Sequence, residues 1–173
     1  MSDKLTSRLK NDIAYEQIVQ DILNDNDFNK ISEIPHHHTT NRLTHSLKVS
    51  YLSYRMAKKL NVDYVAAARS GLLHDYYFEQ PCEQPNIREK KKMMLSEHTK
   101  IAVENAKKRY NITSIEEDAI RCHMFPLDKK IPKHKVSWIV MLADKLASFG
   151  DFSHSCEYVC AFFALLVINW LFN

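Results

Sequence analysis

Residues 71–80 read GLLHDYYFEQ. An apolar stretch closes on two leucines, and then a histidine and an aspartate stand side by side before aromatic residues take over. A buried pair of this kind either satisfies itself by hydrogen bonding or forms half of a metal site, since imidazole nitrogen and carboxylate oxygen both ligate divalent cations. The residues before it are rich in alanine and suit a helix over about 63–75, with Gly71 one turn ahead of His74 and Asp75. A glycine inside a helix costs about 1 kcal/mol, but it removes the Cβ that would hold a second helix away. Whether the rest of the chain can bring partners to this pair decides both fold and function.

Composition favours helices throughout. Only 2 glycines and 5 prolines interrupt 173 residues, too few for a turn-rich β fold. The length suits one domain with a real core. We expect an all-α, single-domain bundle of six to seven helices. Its parts would be an N-terminal helical segment at 1–35 packed on the core, a central unit at 36–150 and an apolar C-terminal helix at 151–173. The net charge of +3 says little about partners. The basic runs (Lys90 to Lys92, Lys107 to Arg109, Lys129 and Lys130) are short and carry no interleaved aromatics, so they read as solvated helix faces. A nucleic acid duplex is not an expected partner.

Cys82, Cys122, Cys156 and Cys160 form no CxxC pair, and the first twelve residues, MSDKLTSRLKND, are polar and charged. Both features point to a reduced, cytoplasmic setting. Residues 158–173, YVCAFFALLVINWLFN, carry no charge and are shorter than the ~20 residues that span a bilayer. A final core helix is the plain reading; a homodimer or membrane-surface contact is the alternative.

Residues 11–23 form a first amphipathic pattern. Thr40 is placed to cap a second helix over 41–60, which aligns Arg42, His45, Val49, Leu52 and Met56 on one face and stops at Asn61. Residues 78–95 read as a long loop that could close over a substrate. Ser96 is placed to cap a fourth helix with His98 in its first turn. A fifth helix over 114–124 reaches His123, and a sixth over 134–148 lines up Val136, Val140, Asp144 and Ala147 before Gly150. Taken singly, a histidine on an apolar helix face is a satisfied core residue, and Asp144 beside Lys145 is a surface ion pair. Together, four imidazoles and two carboxylates on successive helices are a sufficient set for two divalent cations. Buried ionisable groups are costly unless they pair or bind metal.

The stretches NRLTHSLKVSYLSYRMAKKL, AARSGLLHD, SEHTKIAVENA, IRCHMFP and IVMLADKLAS occur in that order. In this order the chain resembles the HD-domain metal-dependent phosphohydrolase superfamily over about residues 36–150. Within it the chain is most similar to small stand-alone bacterial proteins of the dinuclear type, and dinucleoside polyphosphate hydrolases share the plan. The resemblance implies that His45, His74, Asp75 and Asp144 hold one metal and that Asp75 bridges to a second held by His98 and His123, with a water or hydroxide between them. It implies hydrolysis of a nucleotide or other small phosphate ester. The cofactor would be two transition metals, manganese or iron first, with zinc, nickel and cobalt as alternatives. Asp75, Arg42 and Lys145 are the expected catalytic residues; the fork of Arg42, one turn before His45, would hold phosphate over the metals. His36, His37 and His38 lie near the expected site entrance; His134 and His154 read as surface residues.

After the His-Asp pair the chain reads YYFEQ rather than Gly-Lys, which argues against a cyclic-dinucleotide phosphodiesterase, and Glu79 is the nearest further carboxylate. Two other classes stay open. Similar ligand sets hold two irons in oxygenases, and a non-catalytic metal- or nucleotide-binding sensor or interaction module would carry the same residues.

Overall fold

The computed structural model describes residues 12–36, 40–78 and 96–149. Among these, the chain forms seven α-helices: α1 (Ile13–Leu23), α2 (Asn26–Asn29), α3 (Arg42–Lys59), α4 (Tyr64–Leu73), α5 (His98–Arg109), α6 (Ser114–Cys122) and α7 (Lys135–Phe149). A 3-10 turn at Lys30–Glu33 follows α2. The only extended pairing among the described residues is a two-residue antiparallel bridge between β1 (Pro35–His36) and β2 (Thr40–Asn41). The fold is all-α. No described helix is long and apolar enough to cross a membrane. The loop at 79–95 with Glu79 and Cys82, residues His37, His38, His154, Cys156 and Cys160, and the apolar stretch 158–173 lie outside the described residues.

Short polar side chains start most helices, because an oxygen at the N-cap accepts from one of the unsatisfied amides of the first turn. Asp12, Asp25 and Asp63 do so for α1, α2 and α4. Thr113 and Glu116 make a reciprocal capping box on α6. Two expected caps are corrected. Asn41, not Thr40, caps α3, accepting from the Thr44 amide at 2.8 Å. Thr40 is already engaged as a β2 residue in the bridge that sets the helix start. Glu97, not Ser96, occupies the N-cap of α5, and no side chain caps it. Ser96 and Glu97 wind as a wider π turn, and the Ser96 carbonyl accepts from the Thr99 hydroxyl instead. The α3 helix stops as expected: Asn61 turns into the left-handed region at φ 53°, which asparagine tolerates better than most residues.

Helix α3 runs through the centre, against α4 on one side and α7 on another. Gly71 makes the α3–α4 contact possible. A Cβ there would lie 2.8 Å from the Ser50 Cα and 3.0 Å from its amide nitrogen, closer than two such atoms can approach. One apolar cluster joins Tyr15, Val19, Ile22, Phe28 and Ile31 from the N-terminal elements to Tyr51, Tyr54, Leu72, Leu73 and Val103. A second joins Val49 and Ala57 of α3 to Ala66 and Ala67 of α4 and to Val136, Ile139, Val140 and Ala143 of α7. Alanines dominate where helices cross closely, so the backbones converge and bring the polar residues of five elements to one place.

Candidate metal centre

His45, His74, Asp75, His98, His123 and Asp144 are all buried, and the structure brings all six together. They come from the first turn of α3, the end of α4, the first residue of α5, the end of α6 and the middle third of α7. Six ionisable side chains in one apolar bundle demand compensation.

His74 and His123 share one device. Each is the C-cap residue directly after its helix rather than a residue within it, so α4 and α6 end slightly earlier than the apolar pattern suggested. Carbonyls near a helix C-terminus lack amide partners from the next turn. The His74 Nδ1 meets the Gly71 carbonyl at 2.8 Å, and the His123 Nδ1 meets the Ile120 carbonyl at 2.8 Å. A ring nitrogen that donates to a carbonyl leaves the other nitrogen with its lone pair facing inward, as metal-ligating histidines are oriented. The carbonyl ends of two helices also favour positive charge at this point.

The inward atoms fall into two sets. In the first, His45 Nε2 lies 3.1 Å from Asp144 Oδ1, and His74 Nε2 lies 3.6 Å from the same oxygen. In the second, the Nε2 atoms of His98 and His123 are 3.1 Å apart, and each lies 3.6 Å from Asp75 Oδ1. The other oxygen of Asp75, Oδ2, faces His74 Nε2 at 3.6 Å. Asp75 therefore divides its two oxygens between the sets.

These spacings test the fit to a metal. Separations of 3.6 Å are too long for hydrogen bonds, and His74 Nε2, fully buried, has no hydrogen-bond partner. Two donors about 2.0–2.2 Å from one ion, at angles between a right angle and tetrahedral, lie about 2.8–3.6 Å from each other. The observed 3.1 and 3.6 Å separations fall in that range. The groups His45–His74–Asp144 and His74–Asp75–His123 can each hold a metal ion by this measure, and His98 adds a further donor to the second.

Protonation follows from the same crowding. Burial works against the charged form of His74, but the Asp75 and Asp144 carboxylates outweigh it and raise the imidazolium to about 9. Burial and the neighbouring His74 charge push His123 down to about 3. Burial opposes ionisation of Asp75 and Asp144, yet the surrounding histidines hold both well below the usual carboxylate range. In the metal-free chain a proton on His74 thus stands where donors of the two sets face each other.

The remaining expected site residues flank this centre. Lys145 Nζ donates to the His123 carbonyl at 3.0 Å and lies 3.4 Å from Asp144 Oδ2. Arg42 is buried; its Nη1 donates to the Tyr77 carbonyl at 2.7 Å, and its guanidinium lies 3.8 Å from the centre of the Tyr77 ring. Tyr77 was not anticipated, although it stands only two residues after Asp75. Its ring lies 5.2 Å from that of His98. His134, half-buried at the start of α7, belongs to neither metal-ligand group.

A family model described as the HD domain matches residues 42–148, which include all six clustered residues. No curated protein and no solved structure matches the chain.

Proposed function

The chain belongs to the HD-domain family, and from that premise we propose that it is a metal-dependent phosphohydrolase acting on a nucleotide or another small phosphate ester. One observation carries the reading: Asp75 turns one oxygen to His98 and His123 and the other to His74, beside His45 and Asp144. A carboxylate can serve two cations this way because its oxygens are separate donors, whereas an imidazole fixed through Nδ1 offers only one nitrogen. We assign His45, His74, Asp75 and Asp144 to one divalent cation, and Asp75, His98 and His123 to a second. Donors of nitrogen and oxygen without sulfur favour manganese or iron, with zinc, nickel and cobalt as alternatives. Bound there, the cations would supply an activated water and neutralise phosphate oxygens.

The protein's own groups set the substrate's sign. Four neutral imidazoles and two carboxylates leave two divalent cations with an excess of positive charge, and Lys145 adds to it beside Asp144. An anionic ligand completes such a centre. Lys145 also holds the His123 carbonyl and Asp144 in register, so its charge and its positioning act at one place. Arg42 is turned toward Tyr77 and enters the site through that residue.

Elemental analysis of untagged protein purified without chelator tests the centre. About two equivalents of transition metal per chain, with phosphate released from nucleotides or phosphate esters equally in air and under nitrogen, is the expected result. Strict oxygen dependence would replace hydrolysis by oxygenase chemistry. Tight nucleotide binding without turnover would make the chain a sensor.

A further inference from the structure

His74 and His123 are aimed by carbonyls at the C-terminal ends of their own helices. His98 cannot use that device, because it is the first residue of α5. Nor does a side chain cap the helix at Glu97 to fix its start. Yet its Nε2 converges with His123 Nε2 and Asp75 Oδ1 to within 3.1 and 3.6 Å. Its ring lies between that of His123, at 5.1 Å between centroids, and that of Tyr77, at 5.2 Å and an angle of 45°.

Tyr77 is itself held from two directions. Its amide donates to the Asp75 carbonyl at 2.8 Å, which ties it to the bridging residue. On another side Arg42 places its guanidinium 3.8 Å from the ring centre and donates Nη1 to the Tyr77 carbonyl at 2.7 Å. A guanidinium over an aromatic face is attracted to it, more so when shielded from water, and Arg42 is only 2% exposed. Burying an arginine is costly without such partners, so this contact belongs to the build of the site.

We infer that Tyr77, clamped by Arg42, is a positioning residue for His98 and thereby for the second cation set, His98–His123–Asp75. The inference rests on the metal-centre reading above. It makes Arg42 a support for the ligand shell in addition to any contact with phosphate. The working parts are the ring face and the main-chain carbonyl of Tyr77.

The test is calorimetric titration of metal-free protein with Mn²⁺, with His98→Ala marking which binding step belongs to the second set. Wild type should show two sites. Tyr77→Leu should leave the first within threefold and weaken the second at least tenfold, and Tyr77→Phe should restore it. Arg42→Leu should weaken the same step, and the double variant Arg42→Leu/Tyr77→Leu should bind no more weakly than the poorer single one, since the two residues act as a unit. Two unchanged sites in Tyr77→Leu, or failure of Tyr77→Phe to rescue, would overturn the inference while leaving the metal centre standing. Equal weakening of both sites together with a lowered melting temperature would also overturn it, as a general packing role. A wild type that binds no Mn²⁺ would remove the metal-centre reading and this inference with it.

Discussion

Two groups of charged side chains tie distant parts of this chain together, and they are built differently. At the surface, Arg109 of α5 grips Asp25 through two hydrogen bonds of 2.7 Å and Asp27 through one of 2.6 Å, and the Tyr110 hydroxyl adds a bond to Asp25 at 2.8 Å. In the interior, neighbouring ligand atoms of the centre stand 3.1–3.6 Å apart, and His74 Nε2 faces Asp75 and Asp144 at 3.6 Å, beyond hydrogen-bond distance. The surface group is complete in itself; donors and acceptors are matched at contact distance. The interior group is held at spacings that suit ligands sharing an ion. The surface group is matched throughout, whereas the buried group mixes 3.1 Å contacts with 3.6 Å gaps, and buried ionisable groups left partly unmatched are costly.

The largest expected effect separates the two groups directly. Asp75→Ala should abolish binding of both cations and phosphohydrolase activity, and Asp75→Asn should weaken binding of both. Stabilisation by metal, about 2.7 kcal/mol at a hundredfold excess over Kd, would vanish with it; thermal melts with and without Mn²⁺ measure the loss. A metal-induced shift that survives Asp75→Ala would rule out the bridging role.

Gly71→Ala attacks the frame of the centre. The new methyl would press on the α3 backbone at Ser50, with an expected destabilisation of about 1–3 kcal/mol. Urea denaturation of the metal-free protein reads it. Since the Gly71 carbonyl also orients His74, metal affinity should fall as well.

Metal binding should be linked to pH through His74. With its imidazolium raised to about 9, a proton must leave before Nε2 can ligate. Apparent affinity should therefore rise close to tenfold per pH unit, about 1.4 kcal/mol, and level off above about pH 9. Calorimetry in buffers of different ionisation enthalpy should register the proton released. The metal-free fold has the opposite dependence: the stabilisation from protonated His74 is full below about pH 6.5 and is lost as the pH rises through about 9. No proton release at pH 7 would show that His74 is not a ligand.

Asp25→Ala should cost about 1 kcal/mol, chiefly through loss of the α2 cap, and leave metal content unchanged. Arg109 holds the Asp25 carboxyl well below its usual range, so its contribution is present above about pH 4 and fades as the pH falls below that. The smallest effect belongs to the ion pair between Lys107 and Glu117, whose partners are half and a quarter exposed. Lys107→Met should change stability by less than about 0.5 kcal/mol.

Much of this was legible in the order of residues. Helical periodicity put Arg42, His45 and Val49 on one face of α3, and all three are buried. Gly71 announced a close helix crossing, and Ser50 is there to meet it. The six candidate ligands followed from residue type and their order along the resembling motifs, and they meet in one place. The cap of α3 was misplaced by a residue because Thr40 pairs with His36 in the β1–β2 bridge, and the start of α5 because Ser96 and Glu97 already wind as a π turn. Tyr77 was missed because an aromatic after the His-Asp pair looks like core until its neighbours across the bundle are known.

The sequence by itself determined which elements form and which residues are candidate ligands, because periodicity, capping and side-chain type act over one or two helical turns. Only the tertiary structure decided that Asp75 shares its oxygens between two sets of histidines, that His74 and His123 are aimed by the carbonyl ends of their helices, and that Arg42 turns to Tyr77. Those outcomes depend on separations of about 3 Å between residues up to 99 positions apart, and packing of the whole bundle sets them.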